Sequence, residues 1–146
     1  MKWLIDEQSA AINEVLVSIK KSIHFCEHAV ERLNDEETKQ FFLREYKEFN
    51  AFLSGLVSFV RFKGELPRDP DSERETLEQW GVDFKALLSE DGEGSFLEHY
   101  RDMQQDLLVS VESAGKTNSM PESIGGLLKD MERYVTATLR DLQEWA

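Results

Sequence analysis

The chain has 146 residues, 40% hydrophobic and 32% charged, with a formal net charge of −12. That length and balance describe one soluble globular domain and exclude a disordered chain; no apolar run reaches membrane-span length, and the first residues lack an export signal's basic start and hydrophobic stretch. So acidic a composition excludes nucleic acid and anionic membranes as expected partners, since both need a basic patch and Lys20-Lys21 or Arg61 with Lys63 are too few to make one.

From Leu4 to Leu33, apolar residues fall at Ile5, Ile12, Leu16, Ile19, Ile23, Cys26, Val30 and Leu33. Spacings of three and four predict one long helix with a single buried stripe, roughly 40 Å long at about 1.5 Å per residue. Asn34-Asp35-Glu36-Glu37 supplies turn and capping residues, with acids suited to the first turn of a second helix that runs from about Glu36 to Lys63 and stops at Gly64. So short a connection makes these two helices an antiparallel pair.

Gly64 to Pro70 reads as a loop. Asp71 or Ser72, with Glu75 three residues after Ser72, can cap a further helix that carries Leu77, Trp80, Phe84, Leu87 and Leu88 and is broken by the run Glu90 to Ser95. The next long helix is predicted over about 95–113, with Phe96, Tyr100, Met103, Leu107 and Val111 on one side. After a loop at 115–119, Pro121 opens the last helix, which shows Ile124, Leu127, Leu128, Met131, Tyr134, Val135, Leu142 and Trp145. Strand periodicity is nearly absent. The expected fold is therefore all-α and a single domain over residues 1–146. It is a bundle of four long helices with the 71–89 helix in the crossover between the second and third, the general plan of ferritin-like bundles.

Residues on a helix step by about 100°, and on that count the apolar residues of the second helix spread over about 200°, from Phe41 and Phe59 round to Leu43. One neighbouring layer needs a stripe of little more than about 100°. The second helix is expected either to be central or to be covered on another side by a partner chain, with Phe41, Phe59 and Phe62 as the interface candidates.

Glu45 falls inside that arc, among Phe41, Phe49, Phe52 and Leu56. A carboxylate there has to be paired, hydrogen-bonded or protonated. It is a metal ligand, an acid–base group, or a structural carboxylate held by an Arg, Lys or Tyr of another helix. Few other inward acids can be found, which favours the structural role.

Glu27 lies at the edge of the first helix's stripe, with His24 and His28 beyond it; Gln104 faces inward beside Tyr100, and Thr138 occupies the middle of the last helix's apolar face. Two carboxylates, an amide and a hydroxyl leave several coordination positions of a metal pair without protein ligands. Glu45, Glu27, His24 and His28 are thus the whole set of metal candidates, and the i, i+4 histidines have a generic spacing that reads first as solvated side chains.

Cys26 sits on the buried stripe, without the electropositive, open surroundings of a nucleophile, and a lone cysteine fits a reducing cytoplasm. Gly125-Gly126 reads as a close-packing or hinge site, and Glu98, Asp102 and Asp106 as a solvated acidic face. No nucleophile-elbow, phosphate-loop or dinucleotide motif occurs, so no catalytic residue and no cofactor are expected.

Several strings carry a family resemblance. They are Ala29-Val30-Glu31-Arg32-Leu33-Asn34-Asp35-Glu36-Glu37-Thr38-Lys39, then Phe41-Phe42-Leu43, Gly64-Glu65-Leu66-Pro67, and Trp80-Gly81-Val82-Asp83-Phe84-Lys85-Ala86-Leu87-Leu88. Over about Ile12 to Leu142 the chain resembles the DUF2383 family, small bacterial four-helix bundles of unknown function, and through it the ferritin-like superfamily. The resemblance implies the bundle fold. In ferritin-like enzymes it also implies a helix Glu and a Glu-x-x-His in each half, which hold two irons. Here Phe49 and Phe52 stand at one such pair, and Tyr134 is close to the other, with no His on its helix.

The expected function is accordingly a non-enzymatic role in a bacterial cytoplasm, through a homodimer or another protein partner, with a tie to stress conditions implied only by the resemblance. The alternative is a metal-binding protein or oxidoreductase with a reduced site on Glu45, Glu27 and His24 or His28.

Overall fold

The computed structural model of the chain describes residues 7–62, 93–117 and 120–145. The helix expected at 71–89, and the strings at 64–67 and 80–88, lie outside the described residues. Within them are four helices: α1 Glu7–Arg32, α2 Glu36–Phe62, α3 Glu93–Gly115 and α4 Glu122–Trp145. No strand occurs among the described residues, and the all-α four-helix bundle expected from the periodicity is the fold.

Local chemistry sets the helix ends. Asp35 caps α2: the Thr38 backbone N–H donates to its Oδ2 at 2.9 Å, and the Thr38 hydroxyl donates to the same oxygen. The hydroxyl bond first and the backbone bond second hold the Asp35 carboxyl below its ordinary range. Glu36 and Glu37 then lie in the first turn, at the positive end of the helix dipole. At α4 the Gly125 N–H donates to the Pro121 carbonyl at 2.8 Å, so Pro121 stands just before the helix and closes its first turn.

α1 packs against α2 and α3, while α4 packs against α3 and, more thinly, against α2. Side-chain pairs fix the directions. Cys26 meets Tyr100 and Ser22 meets Gln104, so α1 and α3 are antiparallel. Glu45 meets Thr138 and Gly55 faces Leu127, so α2 and α4 are antiparallel as well. With α1 and α2 joined by a short turn, the end of α2 and the start of α3 lie at opposite ends of the bundle. Two hairpins joined by a crossover is the resulting order.

The core runs the length of this square, with Ile12, Leu16 and Ile19 of α1, Phe42, Phe49 and Leu56 of α2, Leu107 of α3 and Met131 of α4 all buried. Gly55 permits the close approach of α2 to α4: a Cβ added there would lie 2.8 Å from Leu127 Cδ2. The same test at Gly125 and Gly126 meets nothing within 4 Å. Among the described residues, then, the pair expected as a close-packing or hinge site has no close neighbour, and the described glycine that lies under another helix is Gly55.

Among the described helices the backbone of α2 lies beside α1 and α4, and its side chains reach across the bundle to Phe96 and Tyr100 of α3. Phe41 is buried, with its ring against Phe42 and Tyr100. Phe59 is half-buried against the core and Phe62 is 88% exposed. No described helix is long and apolar enough to cross a membrane.

Candidate functional site

Glu45 is fully buried halfway along α2 and is the only buried acid among the described residues. Both of its oxygens are occupied. The Tyr100 hydroxyl of α3 donates to Oε1 at 2.9 Å. The Tyr134 hydroxyl of α4 donates to Oε2 in a short bond, and the Thr138 hydroxyl donates to the same oxygen at 3.1 Å. Tyr134 and Thr138 are four residues apart on α4, which places both on one face of that helix. Cys26 Sγ of α1 lies 3.6 Å from the Tyr100 oxygen. The Tyr100 proton is committed to Glu45, so the thiol is the donor in that pair. One side chain or more from every helix of the bundle thus meets at this level.

Aromatic rings close the network. Phe49 and Phe52 each meet the Tyr134 ring edge-on at 5.8 Å. Phe42 meets Tyr100 edge-on at 5.0 Å, and Phe25 stacks on Tyr100 at 5.3 Å while lying 5.9 Å from Phe42. Such pairs add packing energy beyond their area and leave the phenol oxygens as the polar ends.

Burial dominates the electrostatics of the site, and the Arg44 charge is the smallest of the effects on Glu45. Burial pushes the Glu45 carboxyl above its ordinary 4.5, while the hydrogen bonds from Tyr134, Tyr100 and Thr138 and the charge of Arg44 pull it back; burial is the larger effect. Burial also pushes Tyr100 well up, reinforced by Cys26 and Glu45, and pushes Tyr134 up, reinforced by Glu45. Both phenols therefore keep their protons at neutral pH and serve as donors. The Cys26 thiol is pushed well up by burial, so it carries no thiolate with which to attack a substrate.

The other candidate ligands are not brought to Glu45. His24 Nδ1 lies 3.7 Å from Glu27 Oε2, one turn apart on the half-buried side of α1. Burial first lowers the His24 pKa, and Glu27 opposes that shift. His28 is half-buried on the same helix. Gln104 is buried, as expected, but donates its Nε2 to Ser22 Oγ at 3.0 Å rather than joining the carboxylate. Ser22 in turn donates to the Ser18 carbonyl at 3.2 Å.

Among the described residues, no three of His, Cys, Asp and Glu come together in a way that could hold a metal ion. The di-iron centre implied by the ferritin-like resemblance does not fit this donor set: it offers one carboxylate already bonded by three neutral hydroxyls, with Phe49 and Phe52 packed on Tyr134 where ligands would stand.

The expectation of a carboxylate held by a Tyr from another helix describes the site, and Thr138 lies where the last helix's apolar face placed it. The partnership of Tyr100 with Tyr134 on one carboxylate is not among the expectations from helical phase. The available signal is two core tyrosines, each needing a partner for its hydroxyl, on helices that face the one buried acid among the described residues.

The model of the family described as "Domain of unknown function (DUF2383)" matches residues 7–117. No curated protein and no solved structure matches the chain.

Proposed function

The chain belongs to the DUF2383 family, and from that premise we propose that it is a non-enzymatic bacterial cytoplasmic protein of ferritin-like ancestry, acting by self-association rather than by chemistry at its centre. The observation that carries this reading is the closure of Glu45. Both oxygens accept hydroxyl donors, the surrounding positions are aromatic, and the nearest thiol is neutral. A carboxylate so enclosed offers no open coordination position and no accessible acid or base for a substrate. Its role is to fix which faces of α2, α3 and α4 meet, since a misaligned bundle would leave an unpaired buried acid.

Self-association is supported by α2. The helix ends at Phe62, 88% exposed, one turn beyond the half-buried Phe59. Phe41 belongs to the chain's own core, so the contact surface is narrowed to Phe59 and Phe62. Light scattering on the full chain at micromolar concentration is expected to give a dimer mass, and Phe62→Glu is expected to shift it to the monomer mass with helicity unchanged. A strict monomer for the unaltered chain contradicts the proposal. A dimer that survives Phe62→Glu contradicts the surface.

A further inference from the structure

The outer side of the α3–α4 seam differs in charge from the rest of the chain. Acids outnumber Lys and Arg by 29 to 17 overall. Yet two adjoining grooves on this side share Thr136 and Arg140 and carry Arg101, Lys129, Arg133 and Arg140 against one acid, Glu132. The groove between the two helices, of about 510 Å³, holds Arg101 from α3 and Arg140 from α4 with the amides Gln105 and Gln143, the Thr136 hydroxyl and Leu139. That volume lies in the range of small-molecule sites.

We propose that this groove is a binding site for a small phosphate monoester, held between the guanidinium groups of Arg101 and Arg140.

Neither arginine has an ion-pair partner among the described residues. Arg101 is half-buried, and its Nε has no acceptor inside the seam. Arg133 is different, with Asp130 Oδ1 3.9 Å from its Nη1. Two uncompensated guanidinium groups on one groove repel each other until an anion enters, and a dianion neutralises both. Each planar fork can take two phosphate oxygens, whereas a single carboxylate would satisfy only one fork. Thr136, Gln105 and Gln143 can hydrogen-bond the ester oxygen or hydroxyls beyond it, and Leu139 gives the carbon skeleton an apolar patch. The same donors would suit a phosphate headgroup in a bilayer, but the charge of −12 is repelled by an anionic membrane, so the ligand is the soluble ester.

The test is a titration of the full chain, followed by the NMR signals of Arg101, Thr136 and Arg140. Glycerol 3-phosphate is the probe, glycerol is the uncharged control, and a separate arm sediments the protein with phosphatidic acid vesicles. Saturating shifts with glycerol 3-phosphate and none with glycerol are expected. Arg101→Gln and Arg140→Gln should each weaken binding about tenfold or more with helicity unchanged, and Arg140→Gln should leave melting unchanged because Arg140 is exposed. Lys129→Gln, in the adjoining groove, should weaken it less. The proposal is overturned by an absence of saturation, by equal affinity in the double Arg101→Gln, Arg140→Gln variant, or by binding to the vesicles alone.

Discussion

Glu45 and Gln104 are both fully buried in the same bundle, yet the chain treats them differently. Glu45 receives three hydroxyl donors, from two helices, on its two oxygens. Among the described residues Gln104 makes one side-chain hydrogen bond, to Ser22, and its Oε1 has no partner. Desolvation explains the difference. An orphaned amide oxygen costs about 1–3 kcal/mol, and a charged carboxylate without donors costs several times more. The α2–α4 side of the interior is therefore tied to its acid, while the α1–α3 side tolerates an incomplete network. The two sides meet at Tyr100, which bonds Glu45 and accepts from Cys26.

Removing donors from Glu45 is the strongest way to break this contrast. Tyr100→Phe leaves Oε1 without a donor in a fully buried place and is expected to lower unfolding free energy by about 2 kcal/mol in chemical denaturation. Tyr134→Phe should cost less, about 1 kcal/mol, because Thr138 still serves Oε2 and Tyr134 is only half-buried. Equal losses, or none, would mean that the hydroxyls are not what holds the acid.

The proton on Glu45 gives a second test. Its folded pKa is raised, so the folded chain keeps this proton to higher pH than the unfolded chain does. The stability it contributes is complete below the ordinary value of 4.5 and is lost as pH rises through the folded value. Glu45→Gln has no such proton and removes the background of the other acids from the comparison. The stability of the unaltered chain minus that of Glu45→Gln should fall as pH is raised from about 4.5 toward neutrality. A flat difference contradicts the raised pKa, and a rising one reverses it.

The smallest effect belongs to the other side of the comparison. Gln104→Leu removes the unpartnered Oε1 along with one bond to Ser22, and it is expected to stay within about 1 kcal/mol of the original stability. A loss as large as that of Tyr100→Phe would show that the two buried groups are equally tied.

Much of this was legible in the sequence, and the reasons for success and failure are physical. The four helices follow from apolar spacing and capping chemistry, both of which are local: Asp35 with Thr38 is read directly from neighbours in the chain. Burial of Glu45, Gln104 and Thr138 followed from helical phase. The partnership of Tyr100 with Tyr134 depends on which helix lies diagonal to which, and no single-helix pattern carries that. Gly55 is hidden from the sequence for the same reason, since its value lies in Leu127 on another helix. Arg101 and Arg140 are far apart in sequence and each sits among acids, so their shared groove exists only once α3 and α4 are paired. Phe41 is an interface candidate by its place at the margin of the apolar arc, a place equally compatible with the core, and its burial against Phe42 and Tyr100 is set by another helix.

Hydroxyls from Tyr100, Tyr134 and Thr138 occupy both oxygens of Glu45, and a metal ion there would have to displace them. Elemental analysis of the full chain purified from iron- and zinc-rich medium, beside the Glu45→Ala variant, tests that occupancy most directly. The expected result is far less than one metal ion per chain in both proteins. A stoichiometric metal that disappears in Glu45→Ala would contradict it.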